Sequence, residues 1–508
     1  MRSGSERVRL TEVLAALSLA TDIGTGRPLG HGARTCVNAT AIGKQLGFAS
    51  ERLRTVFHVS LLRFLGCTAD SRDTAEAVGG DDLGFNAAMG PVFFGGVPEI
   101  ARAMVSSVGT NESVLRRGKL LIGAFTDTKS VREGLAAHCE VAAMLASRLG
   151  MGDQVIAALR HVYERWDGKG YPTGARGEEI PIEARICAVA GDADLLQSSG
   201  ANTAEILSER AGKGYDPTVV TAWHEAGLSL AETDWEELLA LEPEPIAYVD
   251  DLDAVLTTMA DFADLKSPWT RGHSRDVAEL AAKAGEVAGN GPAAVRQLRR
   301  AGLVHDLGRV GVESGIWDKV GSLTTYEWEK VRIHPYVTGR ILDLCPALRD
   351  LEPLAASHHE RIDGSGYHRQ WAGAQLSPLA RILGAADLFV AVQSDRPHRS
   401  ALDWDDAVRT LKAEVDSGRL DTDAAAWVVS AAGGEMDRPP VANPDGLTDR
   451  ETEVLTHISR GLTNRKVGDE LFISTKTVGR HVENIYAKIG VSTRAGAAIY
   501  AMEHDLLH

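Results

Sequence analysis

Leu303-Val304-His305-Asp306-Leu307-Gly308-Arg309 sets a histidine and an aspartate side by side at the end of an apolar run. Outward from it lie His273 upstream, then a lone His334, the pair His358-His359 and Asp387 downstream. Imidazole nitrogen and carboxylate oxygen together suit iron, manganese or zinc. A pair of such ions about 3.5–4 Å apart clamps the attacking and leaving oxygens of a phosphate ester. The expected cofactor is two divalent transition-metal ions, iron or manganese before others.

Each residue also sits in a local pattern. Trp269-Thr270-Arg271-Gly272-His273 opens one helix, Leu303 to Arg309 closes a second, and His334-Pro335 opens a third. The longest motif, His358-His359-Glu360-Arg361-Ile362-Asp363-Gly364-Ser365-Gly366-Tyr367, is followed by Arg381-Ile382 and Asp387. From Val249 to Gly434 these motifs resemble the HD-GYP family of the HD phosphohydrolase superfamily. The resemblance implies an all-helical, metal-dependent phosphodiesterase that opens cyclic di-GMP. It implies His273, His305, Asp306, His334, His358, His359 and Asp387 as metal ligands, with Asp306 bridging. Two cations lower the pKa of a shared water and neutralise charge as the phosphorane forms. His305, Asp306 and Arg309 are the expected catalytic residues, Arg309 gripping a phosphate oxygen through parallel hydrogen bonds. Arg361 and Lys330 are weaker candidates that read as solvated charges.

The chain departs from the family at three positions. The family usually has lysine where Arg309 stands, His368 follows Tyr367 where its signature has proline, and Trp269 replaces a glutamate found in trinuclear members. Two metals are therefore expected and not three. His368 reads as a loop surface residue before it reads as an extra ligand.

An internal repeat organises the first half. Val13-Leu14 and Leu17 answer Val255-Leu256 and Met259, and Gly30-His31 answers Gly272-His273, at one constant offset. Glu164 to Tyr171 answers Glu360 to Tyr367, and His138 answers His334, at a second. Residues from Val8 to Leu228 thus resemble another HD-GYP-like unit, with a longer insertion between its second and third helices. Its metal site has lost its centre. Arg63-Phe64 stands where His305-Asp306 would, and Val162-Tyr163 replaces the histidine pair. His31, His138 and Asp192 read as buried remnants in a pseudoenzyme half used for packing, dimerisation or sensing.

From Gly433 to Gly446 the segment holds three prolines and three glycines without periodicity, which is a linker composition. Thr448 and Glu451 then form a capping-box pattern, and Ser474 precedes a helix whose apolar stripe is Val478, Val482, Ile485 and Ile489. From Arg460 to Arg494 there are seven basic and three acidic side chains, in a chain of net charge −16. Positive charge is thus focused where a polyanion would lie. Leu447 to Leu455, Gly461 to Lys466, Thr475 to Val482 and Lys488 to Arg494 closely resemble the LuxR-type helix-turn-helix. By that resemblance Lys476, Thr477, Arg480 and His481 face bases or nearby phosphates, while Lys466 and Lys488 hold the backbone. A last helix from Ala495 commonly pairs two copies, so a homodimer is expected.

The expected architecture is all-α: two HD-superfamily domains in tandem (1–240 and 246–434), a linker (435–446) and a small four-helix DNA-binding domain (447–508). A length of 508 residues accommodates such a set. Five cysteines without a Cys-x-x-Cys pair read as reduced thiols, and no stretch has signal or membrane-span character. These features lead us to expect a cytoplasmic protein with no membrane partner. Three functions remain open: a DNA-targeted phosphodiesterase, probed through cyclic di-GMP or another nucleotide; a transcription factor that senses nucleotide or metal without turnover; and a dimer scaffold.

Overall fold

In the computed structural model, residues 8–228, 235–436, 445, 447–504 and 506 are described. Among them the regular elements are helices, and β-pairing is limited to isolated bridges such as Arg9 with Tyr248. The chain forms two compact units, Met1–Met436 and Asp437–His508. Most of the expected linker lies outside the described residues.

The first unit contains both repeats. Helix Leu10–Gly24 buries Leu14 and Leu17, and its counterpart Leu252–Asp264 buries Leu256 and Met259. These side chains belong to one apolar cluster extending from Leu10 to Val429, so the two repeats share a core. A smaller cluster, including Ile42, Val189 and Trp223, lies within the first repeat. Burying a side chain of this size contributes about 1.5–3 kcal/mol, which favours a shared core over two small ones.

The same devices place the site in each repeat. Helices His31–Gln45 and His273–Val287 start just after Gly30 and Gly272, whose φ angles of 79° and 81° suit glycine. Asp22 and Asp264 accept the backbone N–H groups of Gly32 and Ser274 at 3.1 and 3.0 Å, anchoring those helix starts. Gly66 and Gly308 lie so close to the carbonyls of His138 and His334 that an added Cβ would come within 2.0 and 2.1 Å. Helices Ile182–Ser198 and Pro378–Val392 are clamped by Arg185–Asp216 at 2.6 Å and Arg381–Asp421 at 2.9 Å. The insertion of the first repeat forms helices Ser71–Val78, Asp82–Met89, Val97–Ser107 and Val114–Thr126.

That insertion also reaches the second repeat. Lys266 Nζ pairs with Asp82 Oδ2 at 2.6 Å, both side chains buried, and Ser314 N donates to Asp82 Oδ1 at 2.8 Å. One carboxylate thereby ties together the segments that precede His273 and follow Arg309.

In the second unit, Thr448 caps helix Asp449–Ser459 and exchanges hydrogen bonds with Glu451 as the sequence predicts. Ser474 caps Thr475–Ile489 by accepting Thr477 N at 3.0 Å. Val478 and Ile485 are fully buried, and Val482 and Ile489 pack partly buried against the same core. Phe472, at φ 54°, ends helix Asn464–Leu471 and makes the turn into Thr475–Ile489.

Candidate functional site

All seven residues expected as metal ligands converge in the second repeat. His273 begins a helix, His305 and Asp306 end one, His334 begins another, and His358-His359 follow the short helix Glu352–Ala355. Asp387 projects from the middle of Pro378–Val392. All except His359 are buried. Three mutually close groups emerge, His273 with His305 and Asp387, His334 with His358 and His359, and His305 with Asp306 and His358.

The Asp306 carboxylate faces two ways. Its Oδ2 lies 3.3 Å from His305 Nε2 and 3.6 Å from His273 Nε2, while its Oδ1 lies 3.3 Å from His334 Nε2 and 3.5 Å from His358 Nε2. Asp387 also divides its oxygens, Oδ1 at 3.1 Å from His273 Nε2 and Oδ2 at 3.7 Å from His359 Nδ1.

The backbone selects which imidazole nitrogens face inward. The Nδ1 atoms of His305, His334 and His358 each lie 2.7 Å from the carbonyl three residues earlier, of Gly302, Val331 and Ala355. Donation from Nδ1 leaves the Nε2 lone pair free for a cation. His305 Nε2 is buried without a partner in hydrogen-bond geometry. Five imidazoles around two buried carboxylates, with nitrogens oriented inward, fit two transition-metal ions.

Electrostatics agree with that fit. Burial opposes a charge on His305, but Asp306 and Asp387 beside it push its pKa up to about 10. Burial likewise opposes ionisation of Asp306, yet Arg309, His305 and His334 hold its carboxyl well below the usual range. Burial lowers His358 to about 4, and burial together with nearby His358 holds His359 well below the usual imidazole range. The pocket thus stabilises anionic Asp306 and neutral His358 and His359, the forms that bind metal, whereas His305 would give up its proton to a bound ion.

The other candidates divide. Arg309 is turned inward, its Nη1 2.8 Å from Asp306 Oδ2 and its guanidinium stacked on Trp317 at 4.4 Å. Arg361 donates to the carbonyls of His358 and Glu360, and Lys330 pairs with Glu313, so both are engaged within the fold. His368 lies against Tyr336, 5.6 Å between rings, and is outside the three ligand groups. Arg396 was not anticipated. It donates to Trp269 O at 2.6 Å, and burial together with the nearby charge of Arg309 lowers its pKa to about 10. It sits beyond the helix bearing Asp387 and outside any motif, leaving no local signal.

In the first repeat the corresponding positions are rebuilt. Arg63 donates to Cys187 O at 3.1 Å, and Tyr163 Oη lies 3.4 Å from His138 Nε2. His31 turns Nδ1 to Asp194 at 2.7 Å. The register fixed by Arg185 and Arg381 puts Gly191 opposite Asp387, which corrects the sequence reading of Asp192 as its remnant. A Cβ at Gly191 would lie 2.3 Å from Arg63 Nη1, so the guanidinium fills the space of the missing carboxylate. Asp192 instead accepts Tyr215 Oη at 2.6 Å.

In the second unit, Lys476, Thr477 and Arg480 are exposed on one face of Thr475–Ile489, with His481 half-buried beside them. Lys466 is exposed on the preceding helix. Lys488 differs, because its Nζ pairs at 2.6 Å with buried Glu451 and so also braces the capping box.

Comparisons with known proteins bear on both units. A model described as "HD domain" matches residues 120–219 and 257–424, and one described as "Bacterial regulatory proteins, luxR family" matches 445–501. The 3'3'-cGAMP-specific phosphodiesterase 3 of Vibrio cholerae is 30% identical over 417 residues, 79% of this chain and 90% of that protein. A cyclic di-GMP phosphodiesterase of Pseudomonas aeruginosa is 39% identical over 118 residues, 23% of this chain and 28% of that protein. A crystal structure of a cyclic GMP-AMP-specific phosphodiesterase from V. cholerae aligns with TM-score 0.57 and 26% identity, covering 84% of this chain and 98% of that one. Among the described residues no helix is long and apolar enough to cross a membrane.

Proposed function

The chain belongs to the HD-domain family of metal-dependent phosphohydrolases and carries a LuxR-type DNA-binding domain, and from that premise we propose that it cleaves a 3'3'-linked cyclic dinucleotide and, as a homodimer, regulates transcription. The observation that carries the catalytic half is the two-sided Asp306 carboxylate, one oxygen toward His273 and His305 and the other toward His334 and His358.

In this reading His273, His305 and Asp387 would hold one ion and His334, His358 and His359 the second, with Asp306 between the two groups. Bound iron or manganese ions would supply Lewis-acid polarisation of the phosphodiester. Carbonyls of Gly302, Val331 and Ala355 keep the imidazoles in the receptive tautomer. Arg309 exchanges its contact with Asp306 for a substrate phosphate oxygen, and Arg396 adds positive charge at the same mouth. Tyr367, packed on His359 at 4.8 Å, walls the substrate side.

The substrate proposed first is 3'3'-cGAMP, and cyclic di-GMP second. The relative that spans both repeats carries the former name, whereas the cyclic di-GMP relative matches a much shorter stretch. The test is anaerobic hydrolysis of both nucleotides by iron- or manganese-loaded protein, with Asp306→Ala as control. Linear product from 3'3'-cGAMP at clearly higher kcat/KM, absent in the variant, supports the reading. No product from either, despite about two metals per chain, favours the alternative of a sensor without turnover. The contact of Arg309 with Asp306 gives that alternative its physical basis.

For DNA we propose that Lys476, Thr477, Arg480 and His481 read the major groove and that Lys466 contacts the backbone. Lys488 is a secondary phosphate contact, since reaching DNA requires it to leave Glu451. Two half-sites one helical turn apart would supply affinity that a single helix-turn-helix lacks. Arg480→Ala should weaken operator binding by about 1–3 kcal/mol while leaving hydrolysis intact. Unchanged binding at physiological salt would remove this helix from the interface.

A further inference from the structure

The first repeat contains a cavity of about 590 Å³ where the second holds its ligand cluster. Phe64, Phe93 and Tyr163 form aromatic walls, and helix Val114–Thr126 of the insertion contributes Leu120 and Ala124. The volume falls within the range of roughly 300–1,000 Å³ typical of small-molecule sites. We infer that this cavity is a second, non-hydrolytic nucleotide site, with Arg27 and Arg63 anchoring the phosphate and the aromatic walls receiving the base.

Two guanidiniums meet at its floor. Arg27 stacks on Phe64 at 3.7 Å, and Arg63 lies 4.9 Å from the same ring. The Nε atoms of both are buried without a hydrogen-bond partner. Such unsatisfied donors are costly, and a charged acceptor would relieve them. Arg63 has one carboxylate neighbour, Asp192, at 3.8 Å, which is shared with Tyr215.

The remaining acids around the cavity do not balance this charge. Asp127 is committed to capping Ser130 N at 3.0 Å, and Asp73 is exposed. Burial pushes Asp70 up to about 7 and also raises Asp192, opposing ionisation of both. Arg116 and Lys119 add cations from the insertion helix.

The residue changes favour binding over cleavage. Arg63 replaces His305, Phe64 replaces Asp306, and Gly191 opens the space into which Arg63 reaches. These changes remove chelators and install fixed cations suited to phosphate, with aromatic faces suited to a base. The inference does not depend on which dinucleotide the second repeat cleaves.

Full-length protein titrated with methylanthraniloyl-GMP and methylanthraniloyl-AMP, and photolabelled with 8-azido-GMP and 8-azido-AMP, tests it. The expected result is saturable binding of at least one, with label on peptides containing Phe64, Phe93 or Tyr163. Arg27→Met and Arg63→Gln should weaken that site at least tenfold without changing metal content or cooperative unfolding. Label confined to the second repeat, no binding of either nucleotide, or unchanged affinity in folded Arg27→Met would overturn it. If Arg63→Gln fails to fold, Arg27→Met and the labelled peptides decide the question.

Discussion

The two repeats of the first unit share a scaffold and differ at its centre. Gly66 and Gly308 make the same close approach to a histidine carbonyl, and Gly170 and Gly366 each pack against the backbone of Glu164 and Glu360. Those glutamates bind the same turn, Glu164 accepting Thr173 N at 2.7 Å and Glu360 accepting Arg369 N at 2.6 Å. Five of the seven expected ligand positions, by contrast, carry arginine, phenylalanine, valine, tyrosine and glycine in the first repeat, while His31 and His138 remain. Backbone packing and hydrogen bonding hold this fold, so the chemistry at its centre can change while the frame stays.

The largest effect that would break this contrast is at the bridging position. Asp306→Ala should lower kcat by at least about a thousandfold, on the scale of losing a central electrostatic element. Phe64→Ala in the first repeat should leave metal content and kcat near wild type. Metal analysis and hydrolysis on both variants check the pair. Loss of metal in Phe64→Ala would mean the first repeat still contributes to the metal site.

Next in size is the buried Asp82–Lys266 pair, which joins the repeats alongside the more exposed Arg148–Asp261. Asp82→Ala leaves Lys266 buried without its carboxylate and removes the acceptor of Ser314 N, so it should cost about 3–5 kcal/mol in urea unfolding. Adding Lys266→Met to Asp82→Ala should recover much of the loss, because the uncompensated charge is then gone. No recovery would assign the effect to Ser314 and its segment. Asp82 begins the helix that also sends Phe85 and Met89 to the cavity, so this contact joins the cavity wall to the second repeat.

A third comparison uses the matched glycines. Gly66→Ala and Gly308→Ala both force a Cβ against a carbonyl and should destabilise by about 1–3 kcal/mol through overpacking. Gly308→Ala should in addition weaken metal binding, since it displaces Gly308 N from Thr338 Oγ1, which itself donates to His305 O. Equal metal affinity in the two variants would uncouple the turn from the site.

The convergence of the seven histidines and aspartates was legible because most of them lie in short patterns that also fix a helix end, as with Gly272-His273 and His334-Pro335, and Asp387 lies within the helix that follows the longest motif. Helix Thr475–Ile489 was legible for the same reason, its stripe and cap being local. What joins the repeats was not, because Lys266 and Asp82 are separated by 184 positions and neither belongs to a motif. The register at Gly191 was misread since one residue along a helix turns a side chain by roughly 100°. Asp192, one residue beyond Gly191, obscured the loss of the equivalent acid. Lys488 carried a charge the sequence could count, but its Glu451 partner depends on how the helices of the second unit pack.

The smallest expected effect separates Asp22 from its counterpart Asp264. Asp264 accepts both the backbone N–H and the hydroxyl of Ser274, at 3.0 and 2.7 Å, whereas Gly32 gives Asp22 a backbone N–H and no hydroxyl. Burial raises both carboxyls, and takes Asp22 to about 7 against the Gly32 hydrogen bond and the charges of Arg27 and Arg34. An unfolded aspartate titrates near roughly 4. Because the folded pKa is the higher one, the stabilising contribution is full below about 4 and is lost as pH rises toward about 7, after which both states are ionised. Asp22→Asn keeps an acceptor for Gly32 N and has no proton to lose. Its stability relative to wild type should improve from pH 5 to 7 and level off by pH 8, read from urea midpoints at each pH. Parallel profiles would mean that Asp22 is already ionised in the fold, held so by Arg27 and Arg34, and would move part of the Arg27 charge away from the cavity.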